Sequence, residues 1–374
     1  MKILLLTKRQ YTNKDLLDDR FGRLWELPIA IARLGHEVTR VCLSYRPREE
    51  GVTTDTDPKS NACVTWHSLN LGKLIIPGLI KYFLQTNKLA KELRPDLIWA
   101  CSDAFHAIFG VWLAHRLDSK CVVDLYDNFE SFGATRLPGV LPLFKKAVRA
   151  ADGVTCVSKP LAGLVSQNYQ RNGPILVLEN AIRADLFYPQ DRHACRKRLG
   201  LPENAKIIGT AGALNRNRGI DALFRGFELL AAENENIHLA IAGPRDRHTR
   251  LPRGPQVHDL GILPLEKVSL LLNALDVAVI CNRDSPFGRY SFPQKAYEIM
   301  ACHIPLVAAA VGTMEDLLAK QPECLFEPEN PESFAQAIRF QLAHPTLIDL
   351  HVPSWSEIAK RLERFLEQTV KAPE

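Results

Sequence analysis

Two segments of this 374-residue chain put charged and small residues where an apolar run gives way to a helix. One reads Phe292-Pro293-Gln294-Lys295-Ala296-Tyr297-Glu298-Ile299-Met300-Ala301-Cys302, followed by Ile304-Pro305-Leu306-Val307-Ala308. A polar loop enters a short helix carrying one carboxylate, and an apolar strand follows. The start of a helix offers unpaired backbone N–H groups and partial positive charge, and a Glu accepts hydroxyl hydrogen bonds. Together they suit a phosphorylated sugar. Arg289 in the preceding loop, Asp284 to Pro293, or Lys295 just after it could meet phosphate, as could backbone N–H groups near Ser291 and Phe292. Glu298 could also be an ordinary early-helix carboxylate favoured by the dipole.

The other segment is Gly209-Thr210-Ala211-Gly212-Ala213-Leu214-Asn215-Arg216-Asn217-Arg218-Gly219. It follows a strand and precedes a helix. Gly212 would let the backbone approach a diphosphate, whose charge would sit at the helix N-terminus. Arg216 and Arg218 add cationic forks that match phosphate oxygens. A plain strand–turn–helix with solvated arginines has the same composition.

In the first half, Gly22 and Arg23 stand between the first strand and the first helix, on the ligand side of an open α/β sheet, and would face donor phosphates or acceptor. The run Val122-Val123-Asp124-Leu125-Tyr126-Asp127-Asn128-Phe129-Glu130 gathers polar groups where a buried strand ends. Asp127 or Glu130 is a candidate for taking a proton; Tyr126 can hydrogen-bond but is a poor base at neutral pH. Asp124 is either a further acid or structural. His106, near the start of a helix, could contact acceptor or sugar, or serve no site. Ser158 caps a helix, and Asn180 begins a crossing between halves.

These residues need a scaffold of short buried strands alternating with helices. Strands are expected at Ile3–Leu6, Val38–Leu43, Leu97–Ala100, Cys121–Leu125, Val154–Val157 and Leu176–Leu178. The pattern restarts after a charged, turn-rich linker at 180–203, with strands Ile207–Thr210, His238–Ala242, Val277–Cys281 and Leu306–Ala309. Helices between them include Leu24–Leu34, Leu79–Leu93, Ala104–Arg116, Ile220–Glu233, Leu265–Ala274 and Gln294–Ala301. Continuous Val/Ile/Leu runs separated by helices predict parallel sheets covered on both faces, hence two Rossmann-like domains with a cleft between them. The expected division is 1–183, 184–350 and a terminal amphipathic helix in 351–374.

Hydrophobic content of 46% and charged content of 24% fit a globular protein. Residues 1–180 hold 24 Lys+Arg against 18 Asp+Glu. That excess suits an anionic membrane surface or acceptor, or is ordinary surface chemistry. No motif points to nucleic acid. The nine cysteines form no CxxC pair, so buried reduced thiols in a cytoplasmic protein are expected, and no metal site. Asp55-Thr56-Asp57 is expected in an exposed loop. No apolar run is long enough for a signal peptide or membrane span. The stretch Leu71–Leu84, with Lys73 and Lys81, fits an interfacial membrane anchor or a buried core helix.

Taken in order, these segments resemble the GT-B glycosyltransferases of family 4, over about residues 1–345. Leu34-Gly35-His36-Glu37-Val38 is similar to that family's GHEV turn, where His36 would be structural. The resemblance implies two Rossmann-like domains with parallel sheets facing a central cleft, and a C-terminal helix crossing back to the first domain. It implies retaining transfer from a nucleoside-diphosphate sugar without metal or other cofactor, to a glycan or lipid-linked glycan, as in surface polysaccharide synthesis. Peripheral contact with the inner face of the cytoplasmic membrane is compatible with it. Glu298 takes the place of the family's ribose-binding Glu. Three positions depart: Tyr290 replaces the Glu eight residues earlier, Tyr126 the sugar-contacting His, and Ala213 an Arg, while Arg218 stands where Lys is usual. A catalytically silent sugar-nucleotide binder and a nucleotide-sugar epimerase are the alternatives.

Overall fold

The computed structural model describes residues 1–11, 14–57, 60 and 62–372. The chain forms two compact units: Met1–Asn180 with the C-terminal helix Trp355–Lys371, and Ala181–Ser354.

The first unit is built on eight strands: β1 (Lys2–Lys8), β2 (Glu37–Ser44), β3 (Gly51–Thr56), β4 (Cys63–Asn70), β5 (Leu97–Cys101), β6 (Lys120–Leu125), β7 (Gly153–Cys156) and β8 (Ile175–Val177). Their order is β8-β7-β6-β5-β1-β2-β4-β3. All pairs are parallel except β3 against β4. Ile3, Leu4, Leu5 and Leu6 on β1 are fully buried, because helices cover both faces of the sheet. The order reverses between β1 and β5, creating a crevice at the strand ends.

Sequence patterning missed the edge strand β3 and its neighbour β4. They place Asp55-Thr56-Asp57 at the end of an antiparallel strand rather than in a free loop. Asp55 pairs with Arg20 at 3.3 Å and Asp57 with Arg33 at 2.9 Å, so both carboxylates are neutralised by arginines.

The second unit has strands β9 (Lys206–Ala211), β10 (Ile237–Ala242), β11 (Val257–Asp259), β12 (Val277–Ile280), β13 (Leu306–Ala309) and β14 (Leu325–Phe326). The order β11-β10-β9-β12-β13-β14 is wholly parallel. Its switch point lies between β9 and β12, the strands that precede the two segments singled out above. Ile208, Leu223, Val279 and Phe334 belong to the core under those strand ends.

The C-terminal helix is tied into the first unit. Glu363 Oε1 lies 2.9 Å from His36 Nε2, which makes His36 structural. Arg361 donates to Glu179 Oε1 (2.5 Å) and to the Val177 carbonyl (2.8 Å). These bonds hold 177–179 with the first unit, so the chain passes to the second at Ala181. Helix Ile75–Leu93 begins four residues before its expected start and, against the core alternative, turns Ile76, Ile80 and Leu84 to solvent. Among the described residues, no helix is long and apolar enough to cross a membrane. Seven of the nine cysteines are buried; Cys63 is exposed and Cys281 half-buried.

Candidate active site

At the switch point of the second unit the loops after β9, β10, β12 and β13 pack with almost no spare room. Gly212 takes φ +125°, and a Cβ there would lie 2.9 Å from Lys295 Nζ. Gly219 takes φ +71°, and a Cβ there would lie 3.1 Å from the Asn282 backbone. Both positions therefore need glycine on conformational grounds, and Gly212 also leaves space for the lysine. Arg216–Arg218 form a single turn capped by Asn215, whose side chain accepts from the Arg218 N–H at 3.1 Å. The helix Ile220–Glu233 starts immediately afterwards, so its N-terminal N–H groups lie beside this loop.

Helix Gln294–Ala301 matches its expected bounds and carries Lys295 and Glu298 one turn apart. Glu298 is buried, and its Oε1 accepts from Gln294 Nε2 at 3.1 Å. Burial pushes its carboxyl up to about 7, against the opposing pull of Lys295 and the Gln294 hydrogen bond. Burial, reinforced by the nearby Arg218 guanidinium, brings Lys295 down to about 8. The Arg218 guanidinium stacks 4.3 Å from the Phe287 ring centre. The result is a half-buried lysine under the influence of the exposed Arg218 guanidinium, one helix turn from an acid that changes charge near neutrality. A diphosphate would relieve the cation–cation repulsion, and a carboxylate at Glu298 would accept hydrogen bonds from sugar hydroxyls.

Other donor-site candidates are placed differently. Arg216 is exposed and pairs with Asp221 at 3.0 Å. Arg289, also exposed, forms a two-pronged pair with Asp284, Nη2 lying 2.7 Å from Oδ2. Solvent screens such exposed pairs, so either arginine can exchange its partner for phosphate. The loop expected at 284–293 contains a helical turn, Pro286–Tyr290, capped by Ser285. This turn corrects the expectation for Ser291: its N–H donates to the Phe287 carbonyl at 3.1 Å, so that amide is spent inside the protein. Phe292 packs edge-on against Tyr297 at 4.8 Å and is a wedge holding the helix. Tyr290 is half-buried at the end of the turn.

Sequence reasoning missed the loop after β13. Gly312, at φ +56°, leaves no room for a Cβ beside the Arg289 carbonyl, and Thr313 Oγ1 donates to the Ser291 carbonyl at 3.0 Å. A Gly directly after the buried Val311 was the available signal.

In the first unit, Arg23 overturns its expected role. Its side chain and that of Asp124 are both 0% exposed. Arg23 Nη2 and Nε reach the two Asp124 oxygens at 2.8 and 3.0 Å, and Nη1 donates to the Leu178 and Glu179 carbonyls. All its donors face inward, so it contacts no ligand. Asp124 is thereby structural, further held by Thr155 Oγ1 at 2.5 Å. Gly22 is buried, and a Cβ there would meet Tyr11 at 2.5 Å; it serves the packing of that ring.

Tyr126 donates to the Ser102 carbonyl at 3.0 Å and packs edge-on against Tyr11 at 5.2 Å. Burial raises its phenol well above the usual range, which removes it as a base. Glu130 is engaged by Lys145, 2.7 Å away. His106 is buried with Nδ1 on Asp103 Oδ1 at 2.8 Å, and its ring packs against Tyr82. The Asp103 carboxyl is lowered to about 2: the His106 interactions outweigh the burial that would raise it. Tyr45 Oη also donates to Asp103, at 3.1 Å. That pair is a buried brace through Nδ1, while the buried Nε2 has no hydrogen-bond partner. Asp127 is half-buried where β6 ends, with Oδ1 accepting from the Asn128 N–H at 2.8 Å. It is the carboxylate best placed on that edge.

Two doubly wound units, one of them with a glycine loop, a cation pair and a buried acid at its switch point, define a GT-B transferase architecture. The family model for "Glycosyltransferase Family 4" matches residues 23–186, and that for "Glycosyl transferases group 1" matches 205–344. A putative teichuronic acid biosynthesis glycosyltransferase of Bacillus subtilis is 26% identical over 272 residues, covering 70% of this chain and 68% of that protein. Other curated relatives are matched over about half of their length or less, down to 34%. The sucrose-phosphate synthase structure from Thermosynechococcus elongatus superposes with a TM-score of 0.76 at 20% identity, covering 98% of both chains. An Anabaena protein, HepE, solved in complex with UDP-glucose, does so with a TM-score of 0.65 at 19% identity, over 99% of this chain and 95% of that one. The chain belongs to the family 4 glycosyltransferases of GT-B fold.

Proposed function

We propose that this protein transfers a sugar, with retention of anomeric configuration, from a nucleoside-diphosphate sugar to a glycan or lipid-linked glycan of a surface polysaccharide. The observation carrying this reading is the grouping of Gly212, Arg218, Lys295 and Glu298 at the β9/β12 switch point. Glu298 holds the ribose hydroxyls. Arg218, Lys295 and the N-terminus of helix Ile220–Glu233 receive the diphosphate, and the charge that develops as it departs is stabilised there without a metal ion. Asp127, or the departing phosphate itself, takes the acceptor's proton. The teichuronic acid name of the Bacillus relative and the UDP-glucose bound by the Anabaena structure support the acceptor and donor classes respectively.

The test is a transfer assay. Purified protein is incubated with a panel of nucleoside-diphosphate sugars and lipid-linked glycan acceptors, with chelator present, and products are resolved by mass spectrometry. Acceptor gaining one sugar while diphosphate is released supports the reading. Donor bound with no product from any acceptor favours a silent binder, for which Tyr126 and Tyr290, at positions where the family has a sugar-contacting His and Glu, are the motive. A donor isomerised without acceptor indicates an epimerase.

A further inference from the structure

Helix Ile75–Leu93 is inverted relative to an ordinary surface helix. The row facing the first unit is Gly78, Tyr82, Thr86 and Ala90, all buried. The row two residues earlier, about 200° around the helix, is Ile76, Ile80, Leu84 and Lys88. Ile76 is 72% exposed, Ile80 51% and Leu84 65%. Leu74 and Ile75, just before and at the first turn, are 69% and 63% exposed. The helix thus shows water larger aliphatic side chains than it buries. The patch continues onto the neighbouring helix Ala104–Leu117. Phe83 packs edge-on against Phe109 at 4.3 Å, and Phe109 stacks with Trp112, which is 49% exposed. A contiguous apolar surface of this kind marks a docking site.

Its charge selects the occupant. Residues 71–91 contain Lys73, Lys81, Lys88 and Lys91 and no Asp or Glu. Helix Ala104–Leu117 also lacks acids, and its Arg116 guanidinium lies 5.4 Å over the Trp112 ring. The acids that meet these lysines are Glu50, 2.7 Å from Lys81, and Glu92, 4.0 Å from Lys88. A second copy of this chain would set this basic patch against itself, since a two-fold contact repeats the same surface. An anionic bilayer instead accepts aliphatic and aromatic side chains below its headgroups and cations among them.

We propose that the first turns of helix Ile75–Leu93, with Trp112, form a face that docks on an anionic lipid bilayer. Ile76, Ile80 and Leu84 enter the acyl boundary, Trp112 lies at headgroup level, and Lys73, Lys81 and Lys88 neutralise lipid phosphates. This face is separate from the donor site of the second unit and does not depend on how that site is read.

The experiment is co-sedimentation of the full chain with large unilamellar vesicles. One set is phosphatidylcholine; the other contains about one-third phosphatidylglycerol, enough to give a negative surface potential. The protein is expected to bind the anionic vesicles more tightly. Binding should weaken as ionic strength rises from about 0.1 M to about 1 M, where screening contracts from about 10 Å to about 3 Å. The Ile76→Asp/Ile80→Asp variant should bind at least about tenfold more weakly, since it removes two inserted aliphatics. Both sites are exposed, so its circular dichroism and melting should match the parent. Ile262→Asp, at a position 77% exposed in the second unit, should leave binding unchanged. Absence of vesicle binding overturns the proposal, as does equal binding by the double variant. A dimer that dissociates in the double variant while vesicles stay unbound would assign the face to a second copy instead.

Discussion

Replacing Arg23 with Ala separates a structural role from a ligand-binding one. In the folded protein Arg23 makes two hydrogen bonds to Asp124 and two to main-chain carbonyls, with both ionic side chains fully buried. The variant leaves the Asp124 carboxylate in the interior with Thr155 Oγ1 as its remaining side-chain partner among these bonds. Breaking such a pair from one side costs about 3–5 kcal/mol, because the surviving charge is uncompensated. For a unit of this size each kcal/mol lowers the melting temperature by about 2–4 °C, so a fall of about 6–20 °C is expected in the transition of the first unit. Scanning calorimetry that resolves the two units is the assay. Nucleotide affinity, measured below that transition, should be unchanged, since the cations assigned to phosphate lie in the other unit. An Arg23→Met/Asp124→Leu double variant removes both charges and should recover much of the loss. A variant that melts like the parent yet binds donor much more weakly would refute the reasoning and restore Arg23 as a ligand.

Donor affinity should depend on pH in two limbs. Glu298 must ionise to accept ribose hydrogen bonds, so affinity rises as pH passes about 7. Lys295 must stay protonated to meet phosphate, so affinity falls above about 8; titration calorimetry of Glu298→Gln should show the lower limb lost and the upper kept. In stability the same groups act in opposite senses. The raised Glu298 favours the fold at low pH and loses that contribution as pH rises from its ordinary 4.5 through about 7, whereas the depressed Lys295 adds stability as pH rises from about 8 toward its ordinary 10.5. Gly212→Ala forces a side chain to φ +125° against Lys295 Nζ, at about 1–3 kcal/mol of strain. Its donor Kd should rise about tenfold or more, equivalent to ~1.4 kcal/mol, read by fluorescence titration. Tyr126→Phe should lose about 0.5–1.5 kcal/mol of stability with its bond to Ser102, yet keep turnover within a few-fold. Asp127→Asn should lower kcat about 100-fold or more with stability preserved; equal, small effects on kcat for both would remove Asp127 as the base.

What could be read in the sequence was local. Gly212, Lys295 and Glu298 stand at fixed offsets from a strand end or a helix start, and those offsets survive folding. Arg23 was misjudged, and Asp124 left open between an acid and a structural role, because their partnership spans 101 positions and depends on which strands become neighbours. His106 likewise read as a helix-start residue, while Asp103 and Tyr45, brought in by tertiary packing, turned it into a brace. Strand β4 was overlooked because its buried positions Val64, Trp66 and Ser68 alternate with Thr65 and His67, a half-buried pattern unlike the continuous runs at the centre. Helix Ile75–Leu93 showed the converse limit. A run of Leu and Ile specifies low polarity, but only the packed fold shows whether it faces core or solvent. Arg289 and Asp284 were close in sequence, yet their pairing waits on the one-turn helix between them.

The central claim is that the β9/β12 switch point holds a nucleoside diphosphate through Glu298 and the Arg218–Lys295 pair. Thermal-shift binding of UDP, GDP, ADP and their common sugars to the parent protein and to Glu298→Ala tests it most directly, because a ligand that binds the folded state raises its melting temperature. The account predicts a rise selective for one base in the parent and its loss in the variant. No rise with any nucleotide, or an equal rise in the variant, would contradict it.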